Sequence, residues 1–140
     1  MPDPETIPQA AAIAFRRTSD GAVEVVLVTA SSGGWTIPKG LIDPGMTPRQ
    51  MAEIESLEEA GVIGRAEDEP IGEFEYEKWD KTCRVQVFVM EVDRVLDAWA
   101  EQDQRERRWV PLIDAPDEVR LPQMGDVIRL FVEREAASRA

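Results

Sequence analysis

The sequence predicts an α/β protein in which a mixed β-sheet is packed between helices. Apolar runs of strand length occur in groups, and each group is followed by a segment with helical features. Strands, a helix, further strands and a second helix are the order typical of a sheet covered by helices. No repeat or linker divides the 140 residues, and a chain of this length buries about 68–70 % of its unfolded surface. We therefore expect one domain over residues 1–140.

The first third of the chain predicts strands. Residues 1–9 contain three prolines and indicate an extended N-terminal arm. Apolar runs over residues 10–15 and 23–29 are separated by turn-forming residues, which favours a β-hairpin or two neighbouring strands. Residues 35–40 predict a brief extended piece that leads into the first helix.

The first helix has marked ends. Thr47 is a good N-cap residue, Pro48 suits the first helical position, and Gln50 completes a capping box with Thr47. Gly61 stands where a left-handed residue commonly ends a helix. These signals predict a helix between Thr47 and Gly61.

The remainder predicts further strands and a long helix. We expect strands over 71–76, 84–92 and 107–112, a polar connection over 77–82, a helical turn at 95–99, and a helix over 121–138. The last helix is supported by apolar residues that recur at helical spacing.

Composition excludes several functions. The chain has 16 Lys and Arg against 28 Asp and Glu, a formal net charge of −12, and no His. His-based triads and His-ligated zinc sites are therefore excluded, and the acidic balance disfavours binding to duplex nucleic acid. A single cysteine, Cys83, and the lack of a signal-peptide pattern predict a cytoplasmic protein. No apolar run approaches the roughly 20 residues that span a membrane.

Three carboxylates in the first helix are candidates for chemistry. Glu55, Glu58 and Glu59 follow the spacing i, i+3, i+4 and fall within about 100° of one helix face. Like charges at these spacings cost about 0.2–0.5 kcal/mol per pair. Two interpretations remain open from the spacing alone: a solvated acidic face, or a site for Mg²⁺ or Mn²⁺, which prefer oxygen ligands.

The residues around this helix carry a family resemblance. Residues 40–62 closely resemble the Nudix box, G-x5-E-x7-R-E-U-x-E-E-x-G-U, where U is bulky and aliphatic: Gly40, Glu55, the pair Glu58 and Glu59, and Gly61-Val62 match in register. Residues 35–40, WTIPKG, are similar to the W-x-x-P-K-G segment of Nudix enzymes acting on diadenosine polyphosphates. Residues 83–88 and 104–109 resemble later strands of the diphosphoinositol polyphosphate phosphohydrolases. The resemblance covers roughly residues 10–132.

Three positions depart from the family pattern. Met46 and Ile54 replace a Glu and an Arg that generally form an ion pair in the family, and Ser56 replaces a bulky aliphatic residue. Exchanging both partners of an ion pair for apolar residues is often neutral or stabilising, whereas removing one costs about 3–5 kcal/mol. We interpret Met46 and Ile54 as such a paired exchange, which leaves the helix carboxylates in place.

The resemblance implies a Nudix-type α/β/α sandwich and a Mg²⁺-dependent pyrophosphohydrolase (Mn²⁺ being the other candidate ion) acting on a nucleoside polyphosphate or a diphosphoinositol-type substrate. It implies that Glu55, Glu58 and Glu59 are catalytic and, with the Gly40 carbonyl, hold the metal. One further ligand is sought among Glu101, Asp103 and Glu106.

The resemblance also suggests how the substrate is bound. It places Lys39, Arg16, Arg84 and Arg105 around the phosphate chain. Separately, Trp79 or Tyr76, in the loop after a strand and at the strand's end, is a candidate for stacking on a base, with simple packing as the alternative. Trp35, Trp99 and Trp109 are assigned mainly to the core and Cys83 to a structural role.

Two functions other than an active enzyme remain open. A catalytically impaired Nudix-like domain would bind a nucleotide or a partner protein without turnover, which the three departures from the box motivate. A dimeric scaffold would use the apolar C-terminal helix as its surface.

Overall fold

A computed structural model describes residues 6–138 and shows one eight-stranded mixed sheet with helices on both of its faces. The elements follow in the order β1 (Thr6–Arg17), β2 (Val23–Thr29), β3 (Trp35–Thr36), β4 (Lys39–Leu41), α1 (Pro48–Ala60), β5 (Val62–Ala66), β6 (Gly72–Lys78), β7 (Lys81–Val95), β8 (Arg107–Pro111), α2 (Ala115–Glu118) and α3 (Pro122–Ser138). The predicted α/β class is therefore confirmed. In the part of the chain described, no helix combines the length and the apolar character needed to cross a bilayer.

Strand β1 organises the sheet. It pairs in parallel with β7, from Thr6 opposite Thr82 to Phe15 opposite Glu91. Its C-terminal end pairs antiparallel with β2, and its N-terminal half pairs antiparallel with β4, where Ala10 lies opposite Gly40. The short strand that leads into α1 is thereby held beside the middle of the sheet.

The sheet separates two cores. On one face α3 buries Met124, Val127, Ile128 and Phe131 against the sheet, and we call this the α3-side core. On the other face α1 buries Met51, Ala52 and Ala60, and we call this the α1-side core. Alternate residues of β1 enter the two cores, as the two-residue period of a strand requires.

Helix α1 begins and ends as predicted. The Thr47 side chain accepts a hydrogen bond from the Gln50 backbone N–H at 3.1 Å, and the Gln50 side chain accepts one from the Thr47 N–H at 2.9 Å. Gly61 has φ +66° and ends the helix in the left-handed conformation. The capping residues therefore fix both ends of the helix that carries the candidate carboxylates.

Several local predictions were wrong. Residues 6–9 of the expected arm are part of β1, because they pair with β7, and residues 1–5 lie outside the described residues. The segment 95–99 is not a helical turn: β7 continues to Val95, and the Leu96 N–H donates to the Gly61 carbonyl at 2.8 Å. The connection expected over 77–82 is only a two-residue turn, Trp79-Asp80, because β6 and β7 pair as far as Lys78 and Lys81.

Strand β5 was not predicted. It is short and contains Gly64, a residue that disfavours strands in sequence patterns. In the structure a Cβ at Gly64 would lie 2.1 Å from the Glu91 carbonyl oxygen, so the glycine permits the close approach of β7 at an irregularity in the pairing.

Candidate active site

A cavity of about 400 Å³ opens beside β4, between the β6–β7 hairpin and the start of α3. Its charged lining residues are Lys39, Glu59, Lys78, Arg105, Arg120 and Glu77, and its aromatic ones are Trp35, Tyr76 and Trp79. Gly40 also lines the cavity, so the N-terminal and C-terminal parts of the Nudix-like segment meet at one place. A cavity lined by charged and by aromatic side chains suits a ligand that has both a charged part and a flat apolar part.

Glu59 is the best-anchored carboxylate of the cavity. It is 5 % exposed, its Oε1 accepts the Lys39 backbone N–H at 3.2 Å, and its Oε2 lies 3.3 Å from Arg105 Nη2. Burial raises its pKa, and the charge of Arg105 and the Lys39 N–H oppose that rise. A buried carboxylate with a partner on each oxygen is fixed in orientation.

Glu55 lies directly against Gly40. A Cβ at Gly40 would fall 2.4 Å from the Glu55 carboxyl carbon, so any larger residue would displace this side chain. Burial raises the pKa of Glu55 to about 8, with further contributions from the charges of Glu59, Glu58 and Glu101. The acidic side chains therefore crowd one another, as expected where an added cation would be favourable.

Glu58 is exposed, and its backbone carbonyl accepts the Glu101 N–H at 3.0 Å. The donor set, oxygen atoms from Glu55, Glu58, Glu59 and the Gly40 carbonyl, fits Mg²⁺ or Mn²⁺ in its chemistry. Between residues 6 and 138, no three Asp, Glu or Cys side chains are already arranged around one point as a ligand set.

Lys39 and Tyr76 form a buried polar chain on the cavity wall. Lys39 Nζ donates to Tyr76 Oη at 3.1 Å, and Tyr76 Oη donates to Gln9 Oε1 at 2.9 Å. Burial lowers the pKa of Lys39 and raises that of Tyr76 to about 12. Tyr76 is 8 % exposed, so it is a packed residue rather than a free stacking surface. Cys83 is fully buried, in agreement with a structural role.

Arg105 links the cavity to the loop before β8. Its guanidinium donates to Glu101 Oε1 at 2.6 Å and to the Thr29 carbonyl at 2.7 Å, in addition to its contact with Glu59. Among the three loop carboxylates considered from the sequence, Glu101 alone acts electrostatically on both Glu55 and Glu59. Asp103 and Glu106 have exposed side chains that do not line the cavity.

Two of the expected substrate-binding arginines lie outside the cavity. Arg16 pairs with Glu24 at 3.0 Å, and lies six residues along β1 from the position opposite Gly40, about 20 Å at strand spacing. Arg84 pairs with Glu75 at 3.5 Å. Its neighbours in β7, Cys83 and Val85, enter the α3-side core, so Arg84 points to the opposite face. Lys39 and Arg105 line the cavity as expected.

The tryptophans agree with the prediction in part. Trp35, Trp99 and Trp109 are only partly buried, and each is covered by an arginine, namely Arg108, Arg107 and Arg16 at 4.4, 4.1 and 3.9 Å from the ring centroid. Trp35 packs against the α3-side core and Trp109 against the α1-side core, as expected, whereas Trp99 packs against neither core, so the expectation was wrong for Trp99. Trp79 is 63 % exposed at the hairpin turn and lines the cavity, as a stacking surface requires.

The three departures from the family pattern are accommodated by packing. Met46 and Ile54 are partly buried against the α1-side core. Both side chains are uncharged, so neither leaves a charge without a partner. Ser56 is fully buried, and its hydroxyl donates to the Ala52 carbonyl at 2.8 Å. Met46 in the loop before α1 and Ile54 in α1 therefore have apolar contacts at the positions where the family pattern has an ion pair.

Sequence reasoning missed two polar residues of this region. Gln9 was placed in the extended arm, and its role depends on the parallel pairing of β1 with β7, which no local pattern signals. Arg120, which lines the cavity, follows the short helix α2 and has no motif of its own.

Comparison with known proteins identifies the class. The family described as the NUDIX domain matches residues 7–131, and the chain belongs to this family. Similar proteins include Nudix hydrolase 21, chloroplastic, of Arabidopsis thaliana, 27 % identical over 129 residues that cover 89 % of this chain and 65 % of the relative. Diphosphoinositol polyphosphate phosphohydrolase 3-beta of Bos taurus is 35 % identical over 118 residues, covering 81 % of this chain and 70 % of the relative.

Solved structures agree with this assignment. The Ap4A hydrolase of C. elegans in a binary complex superposes with a TM-score of 0.80 at 25 % identity, covering 94 % of this chain and 98 % of that chain. The resemblance to Nudix hydrolases and the Nudix-type fold are thus confirmed. Several plant relatives are longer proteins, and the chain spans, for example, 52 % of the length of Nudix hydrolase 13, mitochondrial, of Arabidopsis thaliana.

Proposed function

We propose that the chain is a single-domain, Mg²⁺-dependent pyrophosphohydrolase that cleaves a pyrophosphate bond in a nucleoside polyphosphate or a diphosphoinositol-type substrate. The observation that carries this proposal is that Glu55 lies against Gly40, and that Gly40 and Glu59 line a cavity that also presents Lys39 and Arg105. Carboxylates for a hard cation and cations for phosphate oxygens are the two requirements of metal-assisted phosphoanhydride hydrolysis.

The residues divide into two roles in this proposal. Glu58, Glu59 and the Gly40 carbonyl hold the cation, and Glu55 is a further ligand or the base that orients the attacking water. A bound Mg²⁺ would neutralise phosphate oxygens and lower the pKa of a bound water. Lys39 contributes a point charge, and Arg105 contributes a permanently charged N–H donor for the phosphate chain. A chain without His is sufficient for this chemistry.

Two observations bear on the substrate class. The chain is similar to proteins named for diphosphoinositol polyphosphate and for Ap4A, and both names denote compounds with linked phosphates. Trp79 offers an exposed indole at the cavity, and stacking of a base on an aromatic ring contributes about 1–3 kcal/mol. This side chain favours a nucleoside polyphosphate over an inositol derivative.

Hydrolysis assays test the proposal. The purified protein is incubated with Mg²⁺ or Mn²⁺ and with diadenosine polyphosphates, diphosphoinositol phosphates, nucleoside triphosphates and nucleotide sugars, and products are identified by mass. We expect metal-dependent cleavage that Glu59→Gln reduces at least about 100-fold, whereas Glu133→Gln, an exposed carboxylate of α3, leaves it unchanged. Equal turnover by Glu59→Gln would contradict the site.

A binding module is the second candidate. The ion pair between Glu59 and Arg105 favours it, because this carboxylate already has a cationic partner within the protein. This candidate predicts that the folded protein binds a nucleotide without releasing phosphate-containing products. Equilibrium binding of a non-reacting diadenosine polyphosphate analogue, measured beside the hydrolysis assay, separates the two functions.

We also propose a cytoplasmic location and a small-molecule partner, with neither membrane nor duplex nucleic acid as a binding partner. The supporting observations are the net charge of −12 and the single, fully buried cysteine. Fractionation of cells that express the protein tests the location.

A further inference from the structure

The contacts of Arg105 are unequal. The hydrogen bonds from Nε to Glu101 and from Nη1 to the Thr29 carbonyl are short, at 2.6 and 2.7 Å. The hydrogen bond from Nη2 to Glu59 is longer, at 3.3 Å. The two short contacts hold the guanidinium in place without Glu59. The third can therefore be exchanged while the side chain stays anchored.

Two cations compete for one carboxylate oxygen of Glu59. Its Oε1 accepts the Lys39 N–H, and its Oε2 faces Arg105. The proposed function assigns Glu59 to a divalent cation, so the oxygen that faces Arg105 is the one for which the guanidinium and the cation compete. The Arg105 side chain is 18 % exposed and lines the cavity, where a phosphate would arrive.

We propose that Arg105 is a displaceable counter-ion for Glu59. Without a cation the guanidinium neutralises Glu59 and keeps it oriented. A divalent cation held by Glu59 would take the place of the Nη2 contact, while Nε and Nη1 would keep their partners and hold the guanidinium where it is. The N–H groups of Nη2 would then be available as donors for substrate phosphate. The inference rests on the proposed function, and it makes Arg105 a positioning residue that couples cation binding to phosphate binding.

The coupling has a measurable sign. A residue that merely supports the carboxylates would strengthen cation binding, so its removal would weaken that binding. A counter-ion competes with the cation, so its removal strengthens it, by about fivefold or more if the coupling is typical of linked sites. The affinity for Mn²⁺ alone, without substrate, distinguishes these two roles.

The experiment titrates metal-free protein with Mn²⁺ and measures free Mn²⁺ by electron paramagnetic resonance. We expect Arg105→Gln to bind Mn²⁺ about fivefold more tightly than the parent. Arg105→Lys, which keeps the charge but loses the planar fork, should lie between the two. The matched control is Arg129→Gln, because Arg129 also bridges two carboxylates, Asp117 and Asp126 at 2.8 and 2.9 Å, on the surface of α3. It should leave Mn²⁺ binding unchanged.

Thermal unfolding gives a second measurement. Arg105→Gln should have a lower Tm than the parent in EDTA, because Glu59 loses its partner, and the difference should shrink in saturating Mn²⁺. Unchanged or weaker Mn²⁺ binding by both Arg105 variants would overturn the inference, as would a Tm deficit that Mn²⁺ does not reduce.

Glu59→Gln separates this inference from the proposed function. If Glu59→Gln binds Mn²⁺ as the parent does, the proposed metal site itself is wrong. If Glu59→Gln weakens binding but neither Arg105 variant strengthens it, the metal site stands and the counter-ion role is rejected. In the double variant, the effect of Arg105→Gln should disappear, because the oxygen for which it competes is absent.

Discussion

The two faces of the sheet differ in the size of the side chains they bury. Toward α1, strand β1 presents Ala10, Ala12 and Ala14, whereas toward α3 it presents Ala11, Ile13 and Phe15. The helices follow the same division: the buried residues of α1 are Met51, Ala52, Ser56, Glu59 and Ala60, and those of α3 are Met124, Gly125, Val127, Ile128 and Phe131.

This difference in side-chain size indicates that the two cores have different roles, one in stability and the other in the geometry of the site. Large apolar side chains contribute most of the free energy of burial, and they lie mainly on the α3 side. Small side chains contribute less but let a helix approach a sheet closely, and on the α1 side they accompany the contact between Glu55 and Gly40. We infer that the α3-side core stabilises the fold, and that the α1-side core sets the position of the carboxylates.

Truncating the α3-side core should give the largest effect on stability. Phe131 is fully buried, and Phe131→Ala should lower the free energy of unfolding by about 3–5 kcal/mol. Activity per folded molecule should be retained, because Phe131 does not line the cavity. Urea denaturation measures the stability, and hydrolysis assayed well below the transition measures the activity. A large loss of activity in the folded fraction would break the proposed division.

Enlarging the α1-side core should have a smaller effect on stability and a larger one on activity. Ala12 is fully buried, and Ala12→Leu should cost about 1–3 kcal/mol. The added volume forces α1 from the sheet, so hydrolysis and Mn²⁺ binding should fall in the folded protein. Ala136→Leu on the exposed face of α3 is the control, with an expected change within about 0.5 kcal/mol. Full activity of Ala12→Leu would remove the argument for close packing.

Removing the N-cap of α1 tests the same helix without changing its packing. Thr47→Ala removes the hydrogen bond to the Gln50 N–H and should cost about 1 kcal/mol. Thr47→Ser keeps the hydroxyl and is the matched control. Chemical denaturation measures both variants, and an equal loss for the two would show that the cap hydroxyl is not responsible.

The last expected effect depends on pH. The pKa of Glu55 is raised from its ordinary value of 4.5 to about 8, so the folded state retains a proton that the unfolded state releases. Stability of the metal-free protein should therefore fall as the pH rises from about 4.5 to about 8, and change little from this group above that range.

Glu55→Gln, a neutral mimic of the protonated form, should remove this dependence. Its stability relative to the parent should increase from pH 5 to pH 9, and solvent screening of the partly exposed side chain keeps the difference small. Glu133→Gln on α3 is the control with an ordinary exposed carboxylate. A parallel pH dependence of the parent and Glu55→Gln would contradict the raised pKa.

The sequence predicted correctly those elements whose ends are fixed by hydrogen bonds between neighbouring residues. The ends of α1 followed from Thr47, Gln50 and Gly61, whose hydrogen bonds lie within a few residues of one another. The helix carboxylates were singled out by their spacing on one face, and the expectation that they lie beside Gly40 came from the family resemblance. The placement of Arg16 failed, because a family motif gives no register, and the pairing of β1 with β2 and β4 decides which arginine reaches the cavity.

Elements that depend on distant partners were not predictable. Strand β5 has a weak pattern of its own and forms because it pairs with β7. The three contacts of Arg105 join a loop to α1 and to the end of β2, and no spacing in the sequence signals this meeting. Arg107 likewise stacks over Trp99, which packs against neither core, and hydrophobicity alone would predict burial there.

The parallel pairing of β1 with β7 has a consequence for how the chain folds. It joins residues about 76 positions apart, such as Ala10 and Gln86, so the strand at the centre of the sheet finds this neighbour only after more than half of the chain has been synthesised. Non-local pairing of this kind slows folding, because loop-closure entropy is lost before the contacts form. Helix α1 and the pair of β1 with β2 can form earlier, because their contacts are local. Until β7 is synthesised, the edge of β1 that pairs with β7 stays without a partner strand, and this interval is when aggregation competes with folding.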